Sequence, residues 1–362
     1  MLNLIFDGNY FVHRIFMVLD KRLQISQDGL IEIFLKNFVY AIKPFVPISN
    51  RIVFTVDHSS WRKSVEEVDY KGNRDKSESP IDWDLFYKNY EKFQSKLSES
   101  GVIINRVPGA EADDLIYLWS QHLISKGQNS IIFTGDSDLR QLVEYNGNNW
   151  NIIADPTHKK SLYVTQEFLD NYLNSSDISI FEMSNNVVQN ILRDSEYSND
   201  IDIIDPYMVL IHKILSGDKS DNIPSVYYRP AGGIGEASAN KIINRFMKRY
   251  NYNDLTKIDT EMWCKRMTKI IFSKFNISDI SKTELISKLK RNRKLIYLNN
   301  KYIPSGIVDA SEKEIQQYQD TRFKNLKHLE PKKISKTKLY ETKDMGKDYN
   351  SVDDFGIDGL NI

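Results

Sequence analysis

Over the first 165 residues, short apolar runs alternate with longer amphipathic stretches, and this alternation constrains the fold more than any other feature. The runs are LNLIFD (2–7), RIVFTVD (51–57), GVIINRV (101–107), SIIFTGD (130–136) and NIIAD (151–155). They are rich in β-branched and aromatic residues with no polar alternation, the pattern of strands covered on both faces. Between them, GLIEIFLKNFVYAI (29–42), WDLFYKNYEKFQSKL (83–97) and ADDLIYLWSQHLIS (112–125) have helical spacing. Strand and helix in alternation predict an α/β domain whose mainly parallel sheet is flanked by helices.

The rest of the chain reads differently. The expected organisation is an α/β domain over 1–170 with an arch or loop at about 58–110, then a polar insertion at 171–204. A helical subdomain follows over 205–330, with LIYL (295–298) its first strand-like run, and a Lys-, Asp- and Gly-rich flexible tail closes the chain at 331–362. A length of 362 residues fits about two domains. The single cysteine, Cys264, excludes an intramolecular disulfide and a multi-cysteine zinc site. No run of 18 apolar residues is present, so no membrane span is expected. The start, MLNLIFDGNYF, lacks the basic region of a signal peptide, and the expected location is cytoplasmic. Basic and acidic residues balance at 49 each, which argues against a wholly basic nucleic-acid binder but allows an acidic site set apart from a basic surface.

Acidic residues recur where the strands end: Asp7, Asp57 and Asp136. In an open α/β sheet, ligands bind beyond the carboxyl ends of the strands. A single strand-end aspartate more often starts a turn or caps a helix. Three in one sheet weaken that reading. Glu111, Asp113 and Asp114 then open the helix in PGAEADDLIYLW, and Asp138 follows Asp136 in FTGDSDLRQLV. First-turn acids complement the helix dipole, yet one or two suffice for that. Seven carboxylates converging with no histidine or cysteine among them would repel or raise each other's pKa unless cations intervened. Oxygen-only ligation selects hard divalent ions, Mg2+ or Mn2+. Two such ions about 3.5–4 Å apart suit phosphoryl transfer or phosphodiester hydrolysis.

The helical half adds Asp218 and Asp221 in LSGDKSDNIPSV, a motif that in isolation reads as an ordinary Gly-Asp turn. Shortly after it, AGGIGEASANKIINRF (231–246) places Gly233 and Gly235 before a helix carrying Lys241. Without a convincing strand before it or a Gly-Lys-Ser/Thr ending, it is neither a dinucleotide fingerprint nor a Walker loop, so a kinase or ATPase is excluded. It fits a helix–hairpin–helix-type turn that grips a nucleic-acid backbone without reading sequence. In VDYKGNRD (68–75), Tyr70 could stack on a base while Lys71 and Arg74 meet phosphate. The run KTELISKLKRNRK (282–294) fits either a phosphate-contacting face or a solvated one.

The motifs IFDGNYFVHR, FTVD, YKGNR, GAEADDLI, FTGDSDLRQL and GDKSDNIP…GGIGEASA, in this order and from residue 2 to about 305, resemble the 5′-nuclease or flap endonuclease family, nearest its phage ribonuclease H and 5′-3′ exonuclease type. The resemblance implies a PIN-like nuclease domain with a helical DNA-binding subdomain, acting on DNA or RNA/DNA duplexes with a 5′ end or flap. It implies one metal position at Asp7, Asp57, Glu111 and Asp113 with Asp136 shared, and Asp114 in the outer sphere. It implies a second at Asp138, Asp218 and Asp221. Lys71 and Arg74 would engage the scissile phosphate, Tyr70 an unpaired base, and Gly233–Gly235 and Lys241 the duplex backbone, with K+ at the glycine turn. Two departures stand out: YYRPA (227–231) intervenes before that turn, and the 174–200 stretch is long. The competing expectation is a non-catalytic DNA-binding module of the same fold, which would need eroded carboxylates. For a phage-encoded chain the location would be the host cytoplasm. The tail carries Val352, Phe355, Ile357, Leu360 and Ile362, which either dock on a sliding clamp or single-strand-binding protein or pack on the chain itself.

Overall fold

The computed structural model describes residues 2–18, 27–73, 83–147, 149–156, 161–174, 183–229, 232–250, 259–318, 320–323 and 329. Arg74, residues 175–182 and the tail at 331–362 lie outside the described residues. Two compact units emerge, one from Met1–Ser59, Glu78–Ile204 and Ser305–Ile362, the other from Ser60–Ser77 and Asp205–Pro304.

The first unit follows the expected alternation: β1 (Leu2–Asp7), α1 (Gly8–Val18), α2 (Gln27–Ile42), β2 (Ser49–Thr55), α3 (Trp83–Glu99), β3 (Ile103–Asn105), α4 (Ala112–Ser125) and β4 (Asn129–Phe133). It continues through β5 (Glu144–Tyr145), β6 (Trp150–Ala154), β7 (Leu162–Val164), α5 (Gln166–Phe168), α6 (Met183–Asp194) and β8 (Ile201–Ile203). These strands form one eight-stranded sheet in the order β3-β2-β1-β4-β6-β7-β8, with β5 beside β6. The five strands from β3 to β6 run parallel, and β7 turns antiparallel to β6. Every residue of β1 and β4 is buried, as unalternating apolar runs require.

Register explains why the carboxyl edge of this sheet is special. Phe6 of β1 pairs with Phe54 of β2 on one side and Phe133 of β4 on the other. The Phe6 and Phe133 rings stack at 4.4 Å, and Phe54 lies 6.3 Å from Phe6 on its other side. All three rings are fully buried. An aromatic row therefore lies one residue before the strand-end acid of β1. The expected strand ends shift accordingly. Only Asp7 is a strand residue, while Asp57 and Asp136 lie two and three residues beyond β2 and β4, in the loops that leave the sheet.

The second unit is helical: α7 (Pro206–Ser216), a two-residue ladder of β9 (Tyr228–Arg229) with β10 (Gly232–Gly233), α8 (Glu236–Arg249), α9 (Thr260–Phe275) and α10 (Lys282–Ile296). Its own apolar core runs from Leu210 and Ile214 through Ile242, Phe246 and Trp263 to Leu289, and takes in Val65, Val68 and Tyr70. The chain then re-enters the first unit as α11 (Ser305–Gln317).

Four expectations are corrected here. The span 58–110 is not one arch, because Ser60–Ser77 belongs to the helical unit while α3 and β3 belong to the sheet unit. The helical unit ends at Pro304 rather than near 330. The 171–204 segment is more than an insertion, since β8 pairs with β7 at the sheet's edge. LIYL forms no strand: Leu295 and Ile296 finish α10, whose Arg293 carbonyl accepts the Tyr297 amide at 3.0 Å. The ladder is instead at YYRPA, where the glycines of β10 pair with Tyr228–Arg229.

Candidate active site

Asp7 ends β1 because the chain must turn sharply there. A Cβ on Gly8 would lie 2.3 Å from the Phe54 ring and 2.4 Å from the Thr55 carbonyl, so only glycine fits the first residue of α1. The Asp7 carboxylate is buried, accepting from the Tyr10 amide at 3.0 Å and the Thr134 hydroxyl at 3.0 Å. Thr134 in turn accepts the Asp136 amide at 3.0 Å, so one hydroxyl ties the β1 acid to the β4 loop. Asp136 starts a turn of 3-10 helix and accepts the Asp138 amide at 2.8 Å.

Asp57 links the β2 loop to α4. It accepts the Ala112 amide at 2.6 Å, at the helix N-terminus where amides have no helical partner. Asn9 donates to its other oxygen at 2.6 Å, and the Asn9 side-chain oxygen accepts from Tyr90 at 2.9 Å and from the Asp57 amide at 3.3 Å. Glu111, buried, is the N-cap of α4, and Asp113 lies half-buried in its first turn. Asp114 is fully buried and turns back to accept the Glu111 amide at 3.2 Å. Its carboxylate thus fixes the residue beside it, the action of a capping box.

The electrostatic consequence falls on Asp7. Burial pushes its carboxyl up to about 7; the Tyr10 amide opposes this, the Asp136 and Asp57 charges add to it, and Thr134 opposes it. Burial, with the Asp57 and Asp7 charges, also pushes the Tyr90 phenol well above its ordinary value. Among the described residues, no three Asp, Glu, His or Cys side chains are arranged as a ready metal cage. The donor set nevertheless fits a hard divalent ion: it is all oxygen, and its charges disfavour one another without a cation. Mg2+ retains several waters and takes few direct carboxylates, so a closed cage is not required.

Three residues of this site were not singled out in the sequence: Asn9, Thr134 and Asp155. Asn9 and Thr134 sit inside the motifs FDGNY and FTGD and act through hydrogen bonds that only folding creates. Asp155 follows β6, and a Cβ on Gly135 would lie 2.0 Å from the Tyr10 hydroxyl and 2.8 Å from the Asp155 carboxylate. Gly135 is therefore needed for close approach.

In the helical unit, Asp218 is buried on a loop that Gly217 enters at φ 75°, where a Cβ would lie 2.3 Å from the Ile223 carbonyl. Its oxygens accept from Lys213 at 2.8 Å and from the Ser220 amide and hydroxyl at 2.7 and 2.6 Å. Burial alone would raise its pKa, but Lys213 and Ser220 outweigh burial and hold it well below the carboxylate range. Asp221 accepts from the Tyr70 hydroxyl at 2.7 Å, with the Lys71 ammonium at 3.8 Å.

Tyr70 departs from the sequence expectation. Its ring is 6% exposed and belongs to the core, so it has no free face on which a base could stack. Gly233 approaches Ser225 closely, with a would-be Cβ 2.8 Å from the Ser225 Cβ, and Ser225 accepts the Ile234 amide at 3.0 Å. Gly235 is the exposed N-cap of α8, on which Lys241 is exposed. The basic run on α10 is not a uniform charged face: Lys288 pairs with Glu284 at 2.7 Å, Lys290 pairs with Glu261, and Arg293 is buried 5.1 Å over Trp263.

The comparisons agree with this architecture. Residues 2–173 match the family model described as 5′-3′ exonuclease, N-terminal resolvase-like domain. The 5′-3′ exonuclease of Mycoplasmopsis pulmonis is 27% identical over 244 residues, covering 67% of this chain and 66% of that protein. DNA polymerase I of Chloroflexus aurantiacus is 26% identical over 179 residues, covering 49% of this chain and 15% of that protein. The chain thus spans just under two thirds of the first relative and a small part of the second. Among solved structures, the bacteriophage T5 D15 flap endonuclease in complex with DNA and metal ions superposes with a TM-score of 0.54 at 16% identity, over 89% of this chain and 100% of that one, which speaks for the fold. With the resolvase-like sheet, the acids at its carboxyl edge and this match over residues 2–173, the chain is similar to the 5′-nuclease family over its N-terminal half.

Proposed function

We propose that the protein is a divalent-metal-dependent 5′-nuclease that hydrolyses phosphodiesters near the 5′ end or flap of a DNA or RNA/DNA duplex. The observation that carries this reading is the gathering of acids at the sheet's carboxyl edge. Thr134 bonds both the buried Asp7 carboxylate and the Asp136 amide, and Asn9 and the Ala112 amide hold Asp57, while burial and the Asp136 and Asp57 charges raise the Asp7 carboxyl. A group so placed is unfavourable as an anion until a cation joins it. Asp7, Asp57, Glu111, Asp113 and Asp136 would hold Mg2+ or Mn2+, which when bound supplies charge neutralisation for the phosphodiester and activates water.

The chain's own residues set the geometry. Thr134 fixes Asp7 relative to Asp136, and Asn9 fixes Asp57. Asp114 holds the Glu111 backbone. Lys71 and Arg74 would offset charge developing on the phosphate, and the α8 entrance at Gly233–Gly235, with Lys241, would bind duplex backbone, with K+ held at the glycine turn. Removal of RNA primers or 5′ flaps during replication or repair is the role that fits this substrate. The test is a nicked 5′-flap duplex labelled at either end, incubated with Mg2+ or with chelator. Metal-dependent products released from the 5′ side are expected, and intact substrate under all metal conditions would overturn the reading.

A further inference from the structure

In the helical unit, the segment carrying Lys71 is fastened to the loop carrying Asp221 at both ends and in the middle. The Lys71 amide donates to the Asp221 carbonyl at 2.9 Å. Asn222 donates through its side chain to the Asp69 carbonyl at 2.8 Å, and Asn73 to the Lys219 carbonyl at 3.0 Å. The Tyr70 hydroxyl donates to the Asp221 carboxylate at 2.7 Å, and the Lys71 ammonium lies 3.8 Å from that same oxygen and 5.0 Å over the Tyr70 ring. Lys71 and Asn222, one on each partner, both have left-handed backbone, at φ 57° and 59°. A non-glycine residue keeps that conformation only where its surroundings over-determine it. Here the surroundings are the reciprocal bonds between the two loops.

We propose that Asp221 and Tyr70 are positioning residues for Lys71, holding its ammonium on a rigid base before substrate arrives. The inference rests on the reading of Lys71 as a phosphate-facing cation. It concerns the metal-free chain, in which the Asp221 carboxylate accepts from Tyr70 and lies beside Lys71. The Tyr70 ring serves as floor: it is buried, and the lysine side chain lies across it. Pre-organisation of this kind places the charge without reorganisation when negative charge grows on the phosphate.

Two measurements on the full chain test this. The first is a double-mutant cycle on flap cleavage using Tyr70→Phe and Lys71→Ala, since Tyr70→Phe deletes only the hydroxyl. Tyr70→Phe should lower kcat about fivefold with KM little changed, the size of effect one typical hydrogen bond sustains. In the Lys71→Ala background it should lower kcat no further, because its effect passes through Lys71. An equal loss in both backgrounds would overturn the proposal by showing a merely structural role. The second reads the lysine directly, without metal or substrate: the acetylation rate of Lys71, followed by peptide mass spectrometry. Tyr70→Phe and Asp221→Asn should each raise it about fivefold over wild type as the ammonium is released, and an unchanged rate in both would overturn the proposal. Should Lys71→Ala cleave at the wild-type rate, the phosphate-facing role fails, and the acetylation rates alone decide whether Asp221 and Tyr70 position the lysine.

Discussion

At the scale of single residues, the chemistry turns on Asp7. Its folded-state pKa of about 7 stands above the ordinary 3.8, so between those values the native chain binds more protons than the unfolded one. Stability contributed by this group is therefore full at low pH and lost as pH rises through about 7. In metal-free protein, Asp7→Asn should accordingly raise stability at pH 8 by about 2 kcal/mol and by little at pH 4, read as the difference in denaturant midpoints. Saturating Mg2+ should narrow the gap at pH 8 by binding the wild-type carboxylate, while the variant loses cleavage. Equal stability of variant and wild type across the pH range would contradict the placement of Asp7. Thr134→Val removes the hydroxyl shared by Asp7 and the Asp136 amide. A loss of about 1–3 kcal/mol is expected from the unsatisfied buried groups, with turnover falling more than flap binding, and thermal melting beside steady-state kinetics checks both. Asn9 and Thr134 were silent in the sequence because each acts on an acid 48 or more positions away, and a hydrogen bond of that span leaves no local pattern.

At the scale of elements, two turns carry more than their length suggests. Gly8 lets α1 start directly against β2, and Gly8→Ala forces a Cβ into the Phe54 ring and the Thr55 carbonyl. A destabilisation of about 1–3 kcal/mol follows from overpacking, and the tyrosine and tryptophan signals of the sheet unit would report it. Gly217 turns the chain toward Asp218, whose depressed pKa has the opposite linkage to that of Asp7. The ion pair with Lys213 contributes stability above the ordinary carboxylate range and loses it as pH falls through the folded pKa. Lys213→Met should therefore lower the melting temperature at pH 7 and make little difference in strong acid. A variant indistinguishable from wild type at pH 7 would show that the pair contributes nothing there. The helices α4 and α3 were readable almost to the residue, because each has a full amphipathic period and α4 an acidic first turn. The two-residue ladder of β9 and β10 was not, since two residues carry no periodicity.

At the scale of the whole molecule, the chain leaves the sheet unit after Ser59 and again after Ile204, and the boundary follows packing rather than sequence order. Residues 60–77 read as part of a long charged connection, yet Val65, Val68 and Tyr70 complete the helical unit's core. Among the described residues, no helix is long and apolar enough to cross a membrane. We propose that the apolar end of the tail docks on a sliding clamp or single-strand-binding protein. Deleting residues 349–362 should leave cleavage of a free flap unchanged and remove stimulation by such a partner. Stimulation that survives the deletion would refute the docking.

The sequence by itself determined the class of fold, the order of the strands and helices, and the acids at the sheet's carboxyl edge, because alternation and strand-end composition are local properties of the chain. It could not decide which acids have their charge penalised by burial, or that Tyr70 lies in a core beneath Lys71 instead of facing a base. Nor did it reveal that Asp114 caps its own helix or that Thr134 joins two strands. Those outcomes depend on desolvation and on contacts between residues far apart in the chain, and both come into being only when the tertiary structure excludes water and sets the neighbours in place.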